Sequence, residues 1–372
     1  MLRAEAHVDL DAVRANVARL AARTSAQVMA VVKADGYGHG LLPTARAALD
    51  GGAGWLGACT VDEALRLRAA GITAPTLAWL ISPGEPLGAA VAADVDLSAS
   101  SEWLLEGIVQ AARDAGRPAR IHLKVDTGLS RNGATVAEWP HLVEAAAKAE
   151  ASGEVDVVGV WSHLACADEP GHPSIARQFA VFAEAVTVAE NRGLRPQFRH
   201  LANSAATLTL PEAHLDLVRP GIAVYGLSPV PRLSTYGLRP AMTLRGRVVL
   251  AKQVPAGSGV SYGHRYTVPR DTRLALVPIG YADGVPRHAT NTAEVWLGGR
   301  RRRISGTVCM DQFVVDVGDG PVQAGDEVVL FGPGDRGEPT AYDWADALGT
   351  IAYEIVTRIG TRVPRTYSGE RP

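Results

Sequence analysis

The chain predicts an α/β fold, an N-terminal (β/α)8 TIM-like barrel followed by a mostly β domain, from three observations. Its 372 residues, 47% of them hydrophobic, are more than one ordinary core requires. The first two thirds alternate short β-branched runs with helical stretches, the pattern of parallel strands covered by helices. After Leu238 the texture changes to short alternating runs separated by glycine turns. The expected division is therefore 1–238 and 239–372.

In chain order, "MLRAEAHVDLDAVRANVARL" reads as an amphipathic helix with Asp11 as candidate N-cap, and it lacks the basic start and apolar core of a targeting segment. Eight candidate strands follow: "QVMAVVK", "WLGACT", "TLAWLI", "DVDLSAS", "RIHLKVD", "DVVGVWSHL", "QFRHLANS" and "HLDLVRP". Helical patterns lie between them; Ile175, Phe179, Phe182 and Val186 share one helix face. In the last third, "RLALVPIG" and "DEVVLFG" are typical of the predicted strands, and the run Arg300–Arg303 reads as a solvated hairpin edge.

The charge is balanced, 37 Lys+Arg against 39 Asp+Glu, so no overall field gathers nucleic acid or an anionic membrane. A small uncharged or zwitterionic partner fits better. Cys59, Cys166 and Cys309 are an odd, widely spaced set, expected as free thiols in a reducing, cytoplasmic compartment. Cys309 is expected to be a buried thiol. There is no HExxH or paired CxxC spacing, and no catalytic metal is expected.

Active sites of such barrels lie at the carboxyl ends of the strands. That rule collects Lys33, Lys124, Asp126, His163, Asn203 and Arg219. Lys33 stands out from a surface lysine closing a strand. The preceding Val28 to Val32 are wholly apolar, so the amine leaves a low-dielectric wall that favours its neutral, nucleophilic form. Gly36, Gly38 and Gly40 then allow close backbone approach to a bound group, and Tyr37 and His39 add polar groups. A lysine of this kind suits a Schiff base, which barrel aldolases also form. Asp126 is open to a second reading, as the cap of the turn before Thr127–Gly128.

The segment "VVKADGYGHG" resembles the cofactor-attachment segment of the pyridoxal 5′-phosphate-dependent alanine racemases. "HLKVDTGLSRNG", "WSHLACAD", "HLANSAA", "VRPGIAVYG", "VSYG", "IGYADG", "VCMDQ" and "AYEI" follow in that family's order across nearly the whole chain. The resemblance implies a cytoplasmic homodimer with shared active sites that interconverts L- and D-alanine, with D-alanine destined for peptidoglycan. It implies that pyridoxal 5′-phosphate is joined as a Schiff base to Lys33. Racemisation needs acid/base groups on both faces of the reacting centre, each worth roughly 10²–10⁴-fold. By resemblance these are Lys33 and, from the neighbouring subunit, Tyr262, assisted by His163.

The resemblance also places Arg219 at the ring nitrogen. Arginine cannot accept a proton there, which disfavours a full carbanion sink and its side reactions. A phosphate cradle is expected from Ser204, Gly221 and Ile222, after strands seven and eight of the barrel, with Tyr37 and Tyr353. Arg131 matches a residue that contacts cofactor and substrate carboxylate, and Lys124 one that is carbamylated in many relatives. Met310, Asp311 and Tyr281 match residues lining the substrate pocket and its entrance. Two departures from the family pattern are Gly36, where alanine is usual, and Ser130, where glycine or asparagine is common. Two rival readings are an amino acid decarboxylase of the same architecture, which would place a carboxylate at the ring nitrogen, and a non-catalytic cofactor carrier built of the barrel alone.

Overall fold

The computed structural model describes residues 2–371. They form two compact units: residues 13–36 with 41–238, and residues 2–12 and 37–40 with 239–371. The chain opens on strand β1 (Ala4–Asp9) and helix α1 (Leu10–Ala21) instead of one continuous helix. Ala4, Ala6 and Val8 alternate with Glu5, His7 and Asp9, so the period of two prevails. The helix cap is consequently Asp9, whose Oδ1 accepts from the N–H groups of Asp11 (3.0 Å) and Ala12 (3.1 Å), and not Asp11.

All eight expected barrel strands form: β2 (Gln27–Val31), β3 (Trp55–Ala58), β4 (Thr76–Ala78), β5 (Asp96–Ala99), β6 (Ala119–Lys124), β7 (Val155–Trp161), β8 (Phe198–His200) and β9 (Leu217–Val218). They make one parallel sheet in the order β8-β7-β6-β5-β4-β3-β2-β9. The ring closes between β8 and the residues flanking β9. There Asp216 N–H donates to Arg199 O (3.2 Å) and Arg219 N–H to Ala202 O (2.8 Å). Met29, Trp55, Leu77, Val158, Phe198 and Leu217 fill a core cluster of the barrel.

Helices α2 (Leu41–Asp50), α3 (Val61–Ala69), α4 (Leu87–Ala92), α5 (Glu102–Ala115), α6 (Trp139–Ala151), α7 (Pro173–Asn191) and α8 (Ser204–Thr209) follow the first seven strands in turn. The expected eighth helix is replaced by a 3₁₀ turn, Ile222–Tyr225. Helix α1 packs beside that turn, where Asn16 Nδ2 donates to Val224 O (3.2 Å).

The second unit is mostly β. Its remaining strands are β10 (Met242–Arg247), β11 (Leu250–Val254), β12 (Gly259–Val260), β13 (Tyr266–Thr267), β14 (Thr272–Val277), β15 (Glu294–Leu297), β16 (Arg300–Arg303), β17 (Phe313–Gly318), β18 (Glu327–Phe331) and β19 (Arg365–Ser368). A six-stranded sheet runs β16-β15-β18-β10-β1-β19, beside a three-stranded sheet β11-β14-β17 and the β12-β13 pair. The arginine run is indeed an edge strand, but Arg302 departs from the solvated reading. It is buried, with Nε donating to Leu297 O (2.9 Å) and an Nη to Val317 O (2.8 Å).

Candidate active site

Lys33 follows β2, whose last four residues are all buried, at the start of a left-handed turn. Ala34, Asp35 and Gly36 have φ of 54°, 53° and 62°, a conformation that non-glycine residues hold only when their surroundings over-determine it. Two contacts do so. Glu63, which completes the capping box of α3 with Thr60, also accepts from Ala34 N–H (2.6 Å), and Asp35 Oδ1 accepts from Leu41 N–H (2.9 Å). At Gly36, with φ 62°, a Cβ would come within 2.5 Å of Thr44 Oγ1, so glycine fits there without displacing that hydroxyl. The Lys33 Nζ lies 5.8 Å from the centre of the Trp79 ring.

Arg219, directly after β9, is buried and tightly held. One terminal nitrogen faces His200 Nδ1 (3.1 Å). The other donates to Ser162 O (2.8 Å) and Leu201 O (3.4 Å) and faces His163 Nδ1 (3.4 Å). Burial pulls its guanidinium down to about 9, still cationic at neutral pH. The indole of Trp161 carries two of the cations, with Lys124 Nζ 4.2 Å and Arg219 Cζ 4.8 Å from its centroid.

Lys124 is buried at the end of β6. Desolvation, then the charges of Arg219, Arg131 and Lys33, lower its amine from 10.5 to about 7, opposed by Asp126. The same two effects, desolvation first and then Arg219, Arg131, Lys124 and Lys33, push His163 well below its ordinary range. Lys33, Lys124, Arg131, His163 and Arg219 therefore share one electrostatic environment.

Asp126 serves as the turn cap, its Oδ1 accepting from the N–H groups of Gly128, Leu129 and Ser130. Ser130 sits at φ 57°, a conformation that glycine and asparagine adopt more readily than serine. Asn203 likewise is a cap, its Oδ1 accepting from Ala206 N–H at the start of α8 (3.0 Å). Ser204 Oγ accepts from Gly221 N–H (2.7 Å) and Ala223 N–H (3.4 Å), which brings Ser204, Gly221 and Ile222 into one buried cluster.

The other expected site residues belong to the second unit. Tyr37 and Tyr353 approach with ring centroids 6.3 Å apart. Tyr262 is 75% exposed in a short turn, where its carbonyl accepts from the Thr307 hydroxyl (2.7 Å). Ser261 Oγ donates to Thr307 O (2.7 Å) and lies 3.3 Å from Cys309 Sγ. Cys309 is thus half-buried and polar in its contacts, where a buried thiol was expected. Tyr281 N–H donates to Cys309 O (3.0 Å) and Ala282 N–H to Met310 O (2.9 Å), so the two loops carrying Tyr281, Met310 and Asp311 are joined. Asp311 pairs with Arg362 at 2.7 Å.

Sequence reasoning missed the side chains that hold Arg219 in place: Trp161, His200 and, behind them, His122 and Asp96. A signal was present. His122 and Lys124 are two apart on β6, so period two places them on the same face of the strand.

With this geometry in hand, comparison with known proteins gives a consistent result. Residues 8–229 match the model described as "Alanine racemase, N-terminal domain", and residues 241–367 that of "Alanine racemase, C-terminal domain". An alanine racemase of Salinispora arenicola is 67% identical over 373 residues, covering 100% of both chains. The crystal structure of the alanine racemase from D-cycloserine-producing Streptomyces lavendulae superposes with a TM-score of 0.98 at 57% identity, covering 100% of this chain and 98% of that one. The alanine racemase of Bacillus anthracis with bound L-Ala-P gives 0.92 at 35% identity, over 99% and 95%. A cationic barrel mouth with its strand-end lysine and buried arginine, joined in sequence to a Tyr262-bearing β unit and matched over its full length, makes this chain a member of the alanine racemase family.

Proposed function

We propose that the protein interconverts L- and D-alanine with pyridoxal 5′-phosphate, using Lys33 on one face of the reacting centre and Tyr262 of a second copy of the chain on the other. The observation that carries this reading is Arg219, a buried guanidinium beside His163, His200 and Lys124. The donor set fits the cofactor. Cations, a serine hydroxyl and loop N–H groups suit a phosphate and a substrate carboxylate, whose charges would relieve the repulsion that lowers Lys124. Lys33 would hold the aldehyde carbon, Arg219 the ring nitrogen, and Ser204, Gly221, Ile222, Tyr37 and Tyr353 the phosphate. Bound in this way, the cofactor makes the α-hydrogen of an attached amino acid acidic.

The chain's own groups then handle the proton. Lys33, its amine freed where the substrate amine would take its place, removes or returns it on its face, and the Tyr262 phenol does the same opposite, with His163 as the neutral partner of that phenol. At the ring nitrogen Arg219 could donate but not accept, which would keep that nitrogen unprotonated and restrain side reactions. That choice separates this reading from a decarboxylase, which needs a carboxylate there. Arg131, Met310, Asp311 and Tyr281 bind or admit the substrate. Lys124, with its amine near neutrality, is suited to carbamylation, and the resulting anion would pair with Arg131. Among the described residues no helix is long and apolar enough to cross a membrane. A cytoplasmic dimer supplying D-alanine for peptidoglycan is the role that suits this chemistry.

The test is chiral analysis of product from L-alanine, together with absorbance in the imine band on adding pyridoxal 5′-phosphate. Cofactor binding without D-alanine would overturn the reading. A panel including serine defines substrate breadth.

A further inference from the structure

We propose that Asp96, His122 and His200 form a one-way hydrogen-bond relay that fixes the tautomers of both imidazoles and positions the Arg219 guanidinium. These three residues are buried, and none has a place in the chemistry described above. The links are Asp96 Oδ2 to His122 Nε2 (3.1 Å), His122 Nδ1 to His200 Nε2 (2.8 Å) and His200 Nδ1 to an Arg219 terminal nitrogen (3.1 Å).

Arginine has only donors, so His200 Nδ1 must present a lone pair to it. The proton of a neutral His200 is then on Nε2, directed at His122 Nδ1. His122 in turn must accept there and carry its own proton on Nε2, directed at Asp96. The opposite order would set a proton on His200 Nδ1 against an Arg219 N–H. Every donor in the chain therefore points toward Asp96, and the anion polarises each link in the same sense.

The ends and flanks are held as well. Arg120 binds Asp96 through a fork, Nε at 2.8 Å and an Nη at 3.2 Å. Burial alone would raise the Asp96 carboxyl, but hydrogen bonding and charge from His122 and Arg120 hold it below its ordinary value, so it remains the anion the relay needs. Trp161 stacks on His200 at 5.5 Å and 5°, with its Nε1–H donating to Ser98 Oγ (3.0 Å), and the edge of Trp55 meets His122 at 5.6 Å. These contacts leave the rings little freedom to flip.

The relay is a property of the chain, whereas its effect on the cofactor rests on the proposed placement of Arg219 at the ring nitrogen. The two are tested apart. Nitrogen-15 NMR of labelled histidine in the full chain, with and without pyridoxal 5′-phosphate, should show His122 and His200 both protonated at Nε2 alone. An Nδ1–H tautomer or a doubly protonated ring at either position would overturn the proposal. Asp96→Asn keeps a hydrogen-bonding group but removes the anion. It should mix the tautomers, shift the cofactor absorbance band and lower kcat about 10–100-fold with KM little changed, the scale seen when the hydrogen-bond partner of a metal-ligating histidine is lost. Arg120→Gln leaves the Asp96 carboxylate and its bond from His122, the larger of the two influences that hold it ionised, and should keep both tautomers and most of kcat. A merely structural role for Asp96 predicts instead that both variants lose stability alike with unchanged tautomers, and that result would also overturn the relay. The wild-type spectrum decides the question even where a variant does not fold. No imine band in the unaltered chain would overturn the cofactor reading without touching the tautomer result.

Discussion

At the barrel mouth, Arg219 is 4% exposed and both its terminal nitrogens meet acceptors, whereas in the β unit Tyr262 is 75% exposed and only its backbone is tied down. The barrel side is preorganised within one chain, since Glu63 pins the Lys33 turn and buried groups aim Arg219. The β side presents Tyr262 (75%), Met310 (53%) and Tyr281 (43%) to solvent, three large side chains on loops laced to one another. Isolated exposed apolar groups are ordinary; in the proposed dimer these three would face the second copy of the chain. On the proposed reading, the contrast means that one polypeptide completes the half of the site that binds and leaves the opposing acid/base to be fixed by assembly.

The largest effect that would break the contrast is at Lys33. Lys33→Ala would remove both the proposed covalent anchor and one proposed acid/base, and racemisation should fall by about 10⁴-fold or more. The check is the initial rate of D-alanine formation, with the imine absorbance lost in parallel. Tyr262→Phe should cost roughly 10²–10⁴-fold while the imine absorbance survives. Normal turnover in that variant would end its role as second base. Mixing the two inactive variants sharpens the point. If each site draws on two chains, half of randomly assorted dimers carry one intact site, and activity should recover to about a quarter of wild type. No recovery after subunit exchange would place both groups of a site on one chain.

These two regions were also unequally legible in the sequence. The barrel strands could be read because parallel strands buried on both faces are short apolar runs, and Lys33 because it closes one of them. His200 escaped because the run "QFRHLANS" was read through to Ser204, which made Asn203 look like the strand end, whereas β8 stops at His200 and Asn203 caps the next helix. β1 was hidden by its own composition: alanine at two of its three inward positions carries a weak strand signal and reads as well in a helix. Tyr262 was visible only through the family motif, since a tyrosine in a short turn has no periodicity to mark it. Burial of Arg302 within a run of four arginines likewise depends on carbonyls from other strands.

A smaller effect concerns Lys124 and follows from linkage. An amine held at about 7 when folded, against 10.5 ordinarily, binds fewer protons in the folded state than in the unfolded state between those values. Stability therefore rises with pH across that window, and the penalty is fully present below about 7. Urea midpoints should climb between neutral and mildly alkaline pH, and Lys124→Met should flatten the slope. A carbamylated Lys124 has no such amine to titrate, so a flat wild-type profile with the mass of an added carboxyl group would show the modification in place.

The smallest effect is at Ser261, the residue before Tyr262, with φ 62° and ψ −172°, a region used almost wholly by glycine. Relief of that strain in Ser261→Gly is worth about 1–3 kcal/mol, and loss of the hydroxyl's bond to Thr307 O opposes it by about 0.5–1.5 kcal/mol. The net change in the urea midpoint should be slight and, if anything, stabilising. Activity should move the other way, because a glycine there frees the backbone that aims the phenol. A stabilised protein with D-alanine formation reduced a few-fold would mean that the chain accepts strain on its exposed half to hold Tyr262 ready. Unchanged activity would mean that the neighbouring subunit alone sets the position of the phenol, and the preorganisation seen at Arg219 would then have no counterpart in the β unit.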